Sequence, residues 1–189
     1  MRLLLTVGLL AVVGCATAPG PGAMEWNTIL AHSDGAPEPV LKDGELALSA
    51  RAIRSLSTYV APLTVECELR SGQVSSNASF YIDFVPKGTS VAELPQDYVS
   101  FKLCSDNTLE AWASRSNQPP HLIGKSTAIP VDAQGRYKLT VGVQRGGFTA
   151  LANGVSMTID LPVPYDRFQI ELRSFPPASQ WYVRDFSIQ

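Results

Sequence analysis

The sequence predicts an all-β protein built as two antiparallel sheets stacked face to face. Short runs alternate apolar and polar residues, as strands with one face on a core do. Turn dipeptides of known chemistry separate those runs. The composition agrees: 14 Gly, 14 Pro and only 17% charged residues suit strands and turns.

Taken in order, Leu63, Val65, Cys67 and Leu69 alternate with Thr64, Glu66, Glu68 and Arg70. Phe80, Ile82 and Phe84 then alternate with Tyr81 and Asp83, and Val99, Phe101 and Leu103 with Tyr98, Ser100 and Lys102. Leu109, Ala111 and Ala113 alternate with Glu110, Trp112 and Ser114. Further on, Tyr137, Leu139, Val141 and Val143 alternate with Lys138, Thr140 and Gln144. Phe168, Ile170 and Leu172 alternate with Arg167, Gln169, Glu171 and Arg173. Turns are expected at Asp43-Gly44, Ser71-Gly72, Lys87-Gly88, Gly146-Gly147 and Asn153-Gly154. The last should close a tight hairpin between residues 148–152 and 155–161. About 12 strands are expected in all, with no long helix.

A different pattern precedes the strands. Met1-Arg2 is followed by Leu3 to Val13, almost without a polar atom, and by Gly14-Cys15. One positive charge, an apolar stretch of roughly ten residues and a small residue before the cut make an export signal. The run falls short of the about 20 apolar residues that a transmembrane helix needs. Val12-Val13-Gly14-Cys15 resembles the lipobox of bacterial lipoproteins. That resemblance implies cleavage before Cys15, a diacylglycerol thioether on its sulfur and acylation of the new amine. Several acyl chains on one residue anchor a protein stably. An ordinary secretory signal cut near Ala16-Thr17-Ala18 is the alternative.

The expected organisation is a signal over 1–14, a lipidated Cys15 and flexible tether over 15–23, and one domain over 24–189. The expected location is the bacterial cell envelope. Ala16, rather than Asp, after the cysteine favours the outer membrane under the sorting rules of some bacteria. Cleavage would remove Arg2, one of 15 Lys+Arg set against 17 Asp+Glu, taking the net charge from −2 to about −3. Without a basic cluster, nucleic acid is excluded as a partner.

Several pieces together resemble the concanavalin A-like lectin/glucanase superfamily, and among its branches the laminin-G-like domains that include the 3-keto-disaccharide hydrolases. They are Trp26, Leu41-Lys42-Asp43-Gly44-Glu45-Leu46, the 63–70 strand, Ser76-Asn77-Ala78-Ser79-Phe80-Tyr81-Ile82, Asn153-Gly154 and the closing run from Trp181 to Ile188. Their order and spacing over 26–188 carry the likeness, which implies a two-sheet jelly roll. Two departures weigh against inheriting hydrolase activity. Ser79 stands where that family has Gly, and Val183-Arg184-Asp185 stands where it tends to have Arg-Asn.

Glycosidases need two carboxylates about 5 to 9.5 Å apart, and the Glu-x-Asp-x-x-Glu pattern of the superfamily's glucanases is missing. Glu66 and Glu68 share a strand face roughly 7 Å apart, and they read as solvated charges. His32 and His121 have no metal-ligand spacing around them, and Asp34 reads as a turn cap. No cofactor is expected; calcium, which some laminin-G-like domains hold, stays open, although no motif marks its ligands. Asn77-Ala78-Ser79 matches the glycosylation sequon, which reads as coincidence in a bacterial lipoprotein. In an oxidising envelope Cys67 and Cys104 could pair. However, Cys67 has core parity and Cys104 the parity of Tyr98 and Lys102, so a bridge would need a bulge.

The informative set lies opposite the core residues of four successive strands: Glu66, Glu68, Arg70, Tyr81, Asp83, Tyr98, Lys102, Glu110 and Trp112. With those strands side by side, the outer face carries three aromatics among charged groups. Aromatic rings pack on the C–H face of a sugar, and polar groups take its hydroxyls. Trp112, Tyr98, Tyr81, Asp83, Arg70 and Glu110 are therefore the candidate ligand-binding residues, and Cys15 the lipidation site. The expected activity is non-catalytic carbohydrate binding by a lectin-like domain. The alternatives are a glycan-acting hydrolase and a structural or adhesive protein that docks an envelope protein.

Overall fold

The computed structural model describes residues 26–31, 39–49, 51–72, 78–89, 97–115, 118–162, 165–176 and 179–189. They form β1 (Trp26–Ala31), β2 (Val40–Lys42), β3 (Glu45–Ser49), β4 (Arg51–Ser55), β5 (Leu63–Ser71), β6 (Ser79–Pro86) and β7 (Tyr98–Cys104). The chain continues through β8 (Leu109–Arg115), β9 (Gln118–Lys125), β10 (Arg136–Gln144), β11 (Gly147–Ala152), β12 (Val155–Ile159), β13 (Phe168–Phe175) and β14 (Gln180–Ile188). A front sheet runs β1-β4-β13-β6-β7-β8-β9 and a back sheet β12-β11-β10-β5-β14-β3-β2, with every pairing antiparallel. The jelly-roll sandwich read from the sequence is the fold of this chain.

The core lies between the sheets and is made by the apolar phase of each strand. Phe80, Ile82, Phe84, Val99, Phe101, Ile170 and Leu172 come from the front, and Val65, Leu69, Leu139, Val141, Phe148 and Trp181 from the back. Phe84 sits at the centre, with its ring 6.2 Å from Phe101, 5.7 Å from Phe148 and 5.6 Å from Phe168. Trp181 packs 5.9 Å from Phe80 across the sandwich. Aromatic pairs at these separations add to the burial of their area.

The turns follow their residues. Asp43-Gly44 and Asn153-Gly154 both take positive φ at their two central positions (52° and 78°, 42° and 88°), the geometry of a two-residue hairpin. Asn153 also ties its hairpin to the start of β10 and the loop before it: its Oδ1 accepts from the Lys138 amide, and its Nδ2 donates to the carbonyls of Pro130 and Arg136.

One strand is added to those read from the sequence, and one expectation changes. β9 carries Pro119-Pro120, which weakens any reading of it as a strand, because proline cannot donate to a ladder. It nevertheless pairs with β8 as the exposed edge of the front sheet, where a missing donor faces solvent. Secondly, β5 is not a neighbour of β6. It lies in the back sheet between β10 and β14, so Glu66, Glu68 and Arg70 face away from the front sheet altogether. Alternation along a strand tells which residues share a face. It does not tell which sheet the strand joins, since β5 finds both neighbours far along the chain.

Cys67 faces the core of the back sheet and Cys104 ends β7 in the front sheet, and both are free thiols. Burial, with Glu66 and Glu68 nearby, pushes the Cys67 thiol far up and keeps it protonated. Residues 1–25, with the export signal and Cys15, lie outside the described residues, as do His32, Asp34 and Asn77. No helix among the described residues is long and apolar enough to cross a membrane.

Candidate functional site

Strand register sets the outer face of the front sheet in rows, with side chains roughly 4.8 Å apart along each row. One row reads Arg173, Tyr81, Lys102, Glu110, Lys125 across β13, β6, β7, β8 and β9. The next reads Arg54, Glu171, Asp83, Ser100, Trp112, Leu122 from β4 to β9. Beside them, Tyr98 stands opposite Ser114. Ser100 is the small residue in the middle of larger ones, and a depression forms over it. Tyr81, Tyr98, Ser100, Lys102, Trp112, Pro120 and Arg173 line this cavity of about 280 Å³. That is close to the lower end, about 300 Å³, of small-molecule pockets.

Each wall is held by a specific contact. The Arg173 guanidinium lies over the Tyr81 ring, 4.4 Å from its centroid. The same guanidinium donates from Nε and Nη2 to Asp83 Oδ2, at 3.1 and 2.9 Å. Trp112 Nε1 donates to Glu110 Oε2 at 3.0 Å, two residues along the same strand face, which orients the indole. Lys102 Nζ reaches the same oxygen at 3.3 Å, and Lys125 Nζ reaches Oε1 at 3.0 Å. Burial alone would raise the Glu110 carboxyl, but the bonds from Lys125 and Trp112 and the Lys102 charge hold it below its ordinary value. Burial raises the phenols of Tyr81 and Tyr98, which stay protonated as hydrogen-bonding groups.

Behind the cavity lies a buried charge array. Arg54 and Glu171 are both 1% exposed and pair at 2.8 Å. Glu171 stands opposite Asp83 in the register, an arrangement of like charges that costs stability unless neutralised. Arg54 and Arg173 supply the neutralising charges. Burial and the Asp83 charge nonetheless push the Glu171 carboxyl up to about 7, against the pull of both arginines. Asp83 Oδ1 and Ser100 Oγ are buried and have no hydrogen-bond partner among the described residues.

Of the residues singled out from the sequence, Trp112, Tyr98 and Tyr81 line the cavity. Asp83 and Glu110 stand behind it, holding Arg173, Trp112 and Lys102 in place. Arg70 does not join them: on the back sheet it donates to Glu45 at 2.8 Å and lies over the Tyr182 ring at 3.9 Å. Glu68 pairs there with Arg184 at 2.7 Å. Sequence reasoning missed Arg173, Pro120 and the role of Ser100. Arg173 was visible as a polar-phase residue, but nothing local shows that β13 lies beside β6. His121 is exposed on β9. Among the described residues, no three His, Cys, Asp or Glu side chains gather as a metal site would require.

No protein-family model and no curated protein matches this sequence. Solved structures do match in shape. A carbohydrate binding module, CBM66 from Bacillus subtilis, superposes with a TM-score of 0.62 at 11% identity, covering 87% of this chain and 94% of that one. A Bacillus subtilis protein of unknown function with a galectin-like fold gives 0.65 at 14%, covering 87% and 89%. Bacillus licheniformis beta-glucanase gives 0.57 at 12%, covering 86% and 90%. The fold is therefore the two-sheet jelly roll that these structures share. At these identities the likeness is one of architecture.

Proposed function

We propose that this protein is a lipid-anchored envelope protein whose front sheet binds carbohydrate without cleaving it. One observation carries the reading: Tyr81, Tyr98 and Trp112 converge with Ser100, Lys102 and Arg173 on one sheet-face cavity. Aromatic faces receive the C–H face of a pyranose or furanose, and the hydroxyl, ammonium and guanidinium groups bond its hydroxyls. The solved structures of like shape, a carbohydrate binding module and a beta-glucanase among them, support a glycan ligand.

Binding is favoured over cleavage by the state of the carboxylates beside the cavity. Glycoside hydrolysis uses one carboxyl as an acid and another as a base or nucleophile. Here Asp83 and Glu171 are engaged by Arg173 and Arg54, and Glu110 accepts from three donors. The lipid anchor rests on the lipobox-like Val12-Val13-Gly14-Cys15, with the outer membrane favoured by Ala16.

The test is a glycan array probed with the full chain in detergent, with and without a calcium chelator, comparing wild type and Trp112→Ala. Binding that falls about 30-fold, or about 2 kcal/mol, in the variant is expected, the size of effect a central aromatic contact has. No binding by folded wild type sinks the lectin reading and turns attention to an envelope protein as ligand. Release of reducing ends from an arrayed glycan would replace it with a hydrolase. Independently, Cys15→Ser should move the chain from the membrane pellet to the soluble fraction, and an unchanged pellet would remove the anchor.

A further inference from the structure

The cavity's own charges narrow the kind of sugar. Its lining includes two ionisable groups of fixed positive charge, Lys102 and Arg173, and no carboxylate among the described residues. They flank Tyr81 in the register, so their backbones stand roughly 10 Å apart while both side chains line the one cavity. Their counter-charges are recessed: the Asp83 side chain is 2% exposed and that of Glu110 12%. Neither pairing uses up its cation. Asp83 takes Nε and Nη2 of Arg173 and leaves Nη1 without a partner among the described residues. Glu110 takes one contact, at 3.3 Å, from a Lys102 ammonium that has three N–H groups to give. In the neighbouring row Ser100 also lines the cavity, and its buried Oγ has no hydrogen-bond partner among the described residues. This cationic recess lies in a chain whose net charge is −2.

We propose, resting on the carbohydrate reading above, that the cavity selects acidic saccharides: the aromatic walls hold the sugar ring while Lys102 and Arg173 take its anionic group. Charge-assisted bonds of this kind are shorter and about twice as strong as neutral ones. Lys102 is held above its ordinary value despite its burial, with the Glu110 carboxylate beside it, and stays charged. The anionic group has two common sources, a uronic acid carboxylate and a sulfate ester, and both present the same chemistry to this pair of cations.

The experiment titrates the full chain in detergent with three oligosaccharides of matched length: a uronate, its carboxyl-reduced neutral counterpart and a sulfated form. Wild type, Lys102→Gln and Trp112→Ala are compared, with circular dichroism as the control for folding. An acidic form is expected to bind at least tenfold more tightly than the neutral one in low salt. That gap should close in 0.5 M NaCl and in Lys102→Gln. The tighter of the two acidic arms identifies the source of the charge. Neutral binding as tight as acidic, still lost in Trp112→Ala, overturns the acidic selectivity and leaves the carbohydrate reading standing. A gap that survives Lys102→Gln intact overturns it as well, because Lys102 then takes no part in holding the anionic group. Failure of folded wild type to bind all three overturns both proposals.

Discussion

Each sheet turns outward a tyrosine with an arginine lying over its ring: Arg173 over Tyr81 at 4.4 Å on the front, and Arg70 over Tyr182 at 3.9 Å on the back. Each has a cavity beside that pair, about 280 Å³ on the front and about 540 Å³ on the back. The difference lies in where the carboxylates are. On the front they lie beneath the surface, and aromatics and cations are presented. On the back Asp43 and Glu45 share the lining with Lys42, Arg136 and Arg184. Glu45 alone bonds both Arg70 and Arg136, at 2.8 and 2.9 Å, so a ligand there would meet carboxylates and cations already paired with one another. The same residue types thus make a selective recess on one face and a self-satisfied lattice on the other. What decides the outcome is the depth of the acidic partner.

The largest effect expected from breaking this contrast is on stability. Arg54→Ala leaves Glu171 and Asp83 facing each other in the buried array and should cost about 3–5 kcal/mol, as loss of one partner in a buried pair does. Arg70→Ala removes an ion pair whose two side chains are 33% and 22% exposed, and should cost no more than about 1 kcal/mol. Urea denaturation measures both. Equal losses would mean that the depth of the carboxylates does not distinguish the two faces.

A smaller effect sharpens the contrast at the level of binding. Tyr182→Ala removes the aromatic of the back cavity and should leave glycan binding within about twofold of wild type, against the about 30-fold loss expected for Trp112→Ala. Glu110→Gln should fall between, since the amide oxygen still accepts from Trp112 Nε1 while the ion pairs with Lys102 and Lys125 are lost. Isothermal titration with whichever oligosaccharide the array identifies gives all three constants. Tyr182→Ala acting as strongly as Trp112→Ala would move the ligand to the other face.

Much of this face was legible in the sequence, and the part that was not has a physical reason. The alternation of Tyr81 with Ile82, Tyr98 with Val99 and Trp112 with Ala111 is a property of single strands, and it placed the three aromatics on one outward side. β6, β7 and β8 are also consecutive and antiparallel, and strands consecutive in sequence usually lie side by side. Arg70 was misplaced and Arg173 missed for one shared reason. In a jelly roll the chain changes sheets between β5 and β6, and β13 returns to lie beside β6 from far along the sequence. Pro120 was hidden because its residue type argues against a strand, and only an edge position permits it. Local pattern determines faces, whereas long-range pairing determines neighbours.

The two faces also differ in the sign of their response to pH. Glu171 has a carboxyl raised from 4.5 to about 7, chiefly by burial. Between those values the folded protein binds more protons than the unfolded chain, so stability falls as pH rises. The contribution is fully present below about 4.5 and gone above about 7, with a slope of at most about 1.4 kcal/mol per pH unit. Glu45 on the back runs the opposite way. Its hydrogen bonds from Arg70, and then from Arg136, hold it below 4.5, so its contribution is present above that value and is lost as the pH falls further. Urea midpoints of wild type, Glu171→Gln and Glu45→Gln, measured from pH 3 to pH 8, separate the two. Glu171→Gln should flatten the profile between pH 4.5 and 7, and Glu45→Gln should flatten only the acid arm. A wild-type profile that Glu171→Gln leaves unchanged would mean that the buried glutamate stays ionised throughout. The front array would then resemble the back lattice in everything but depth.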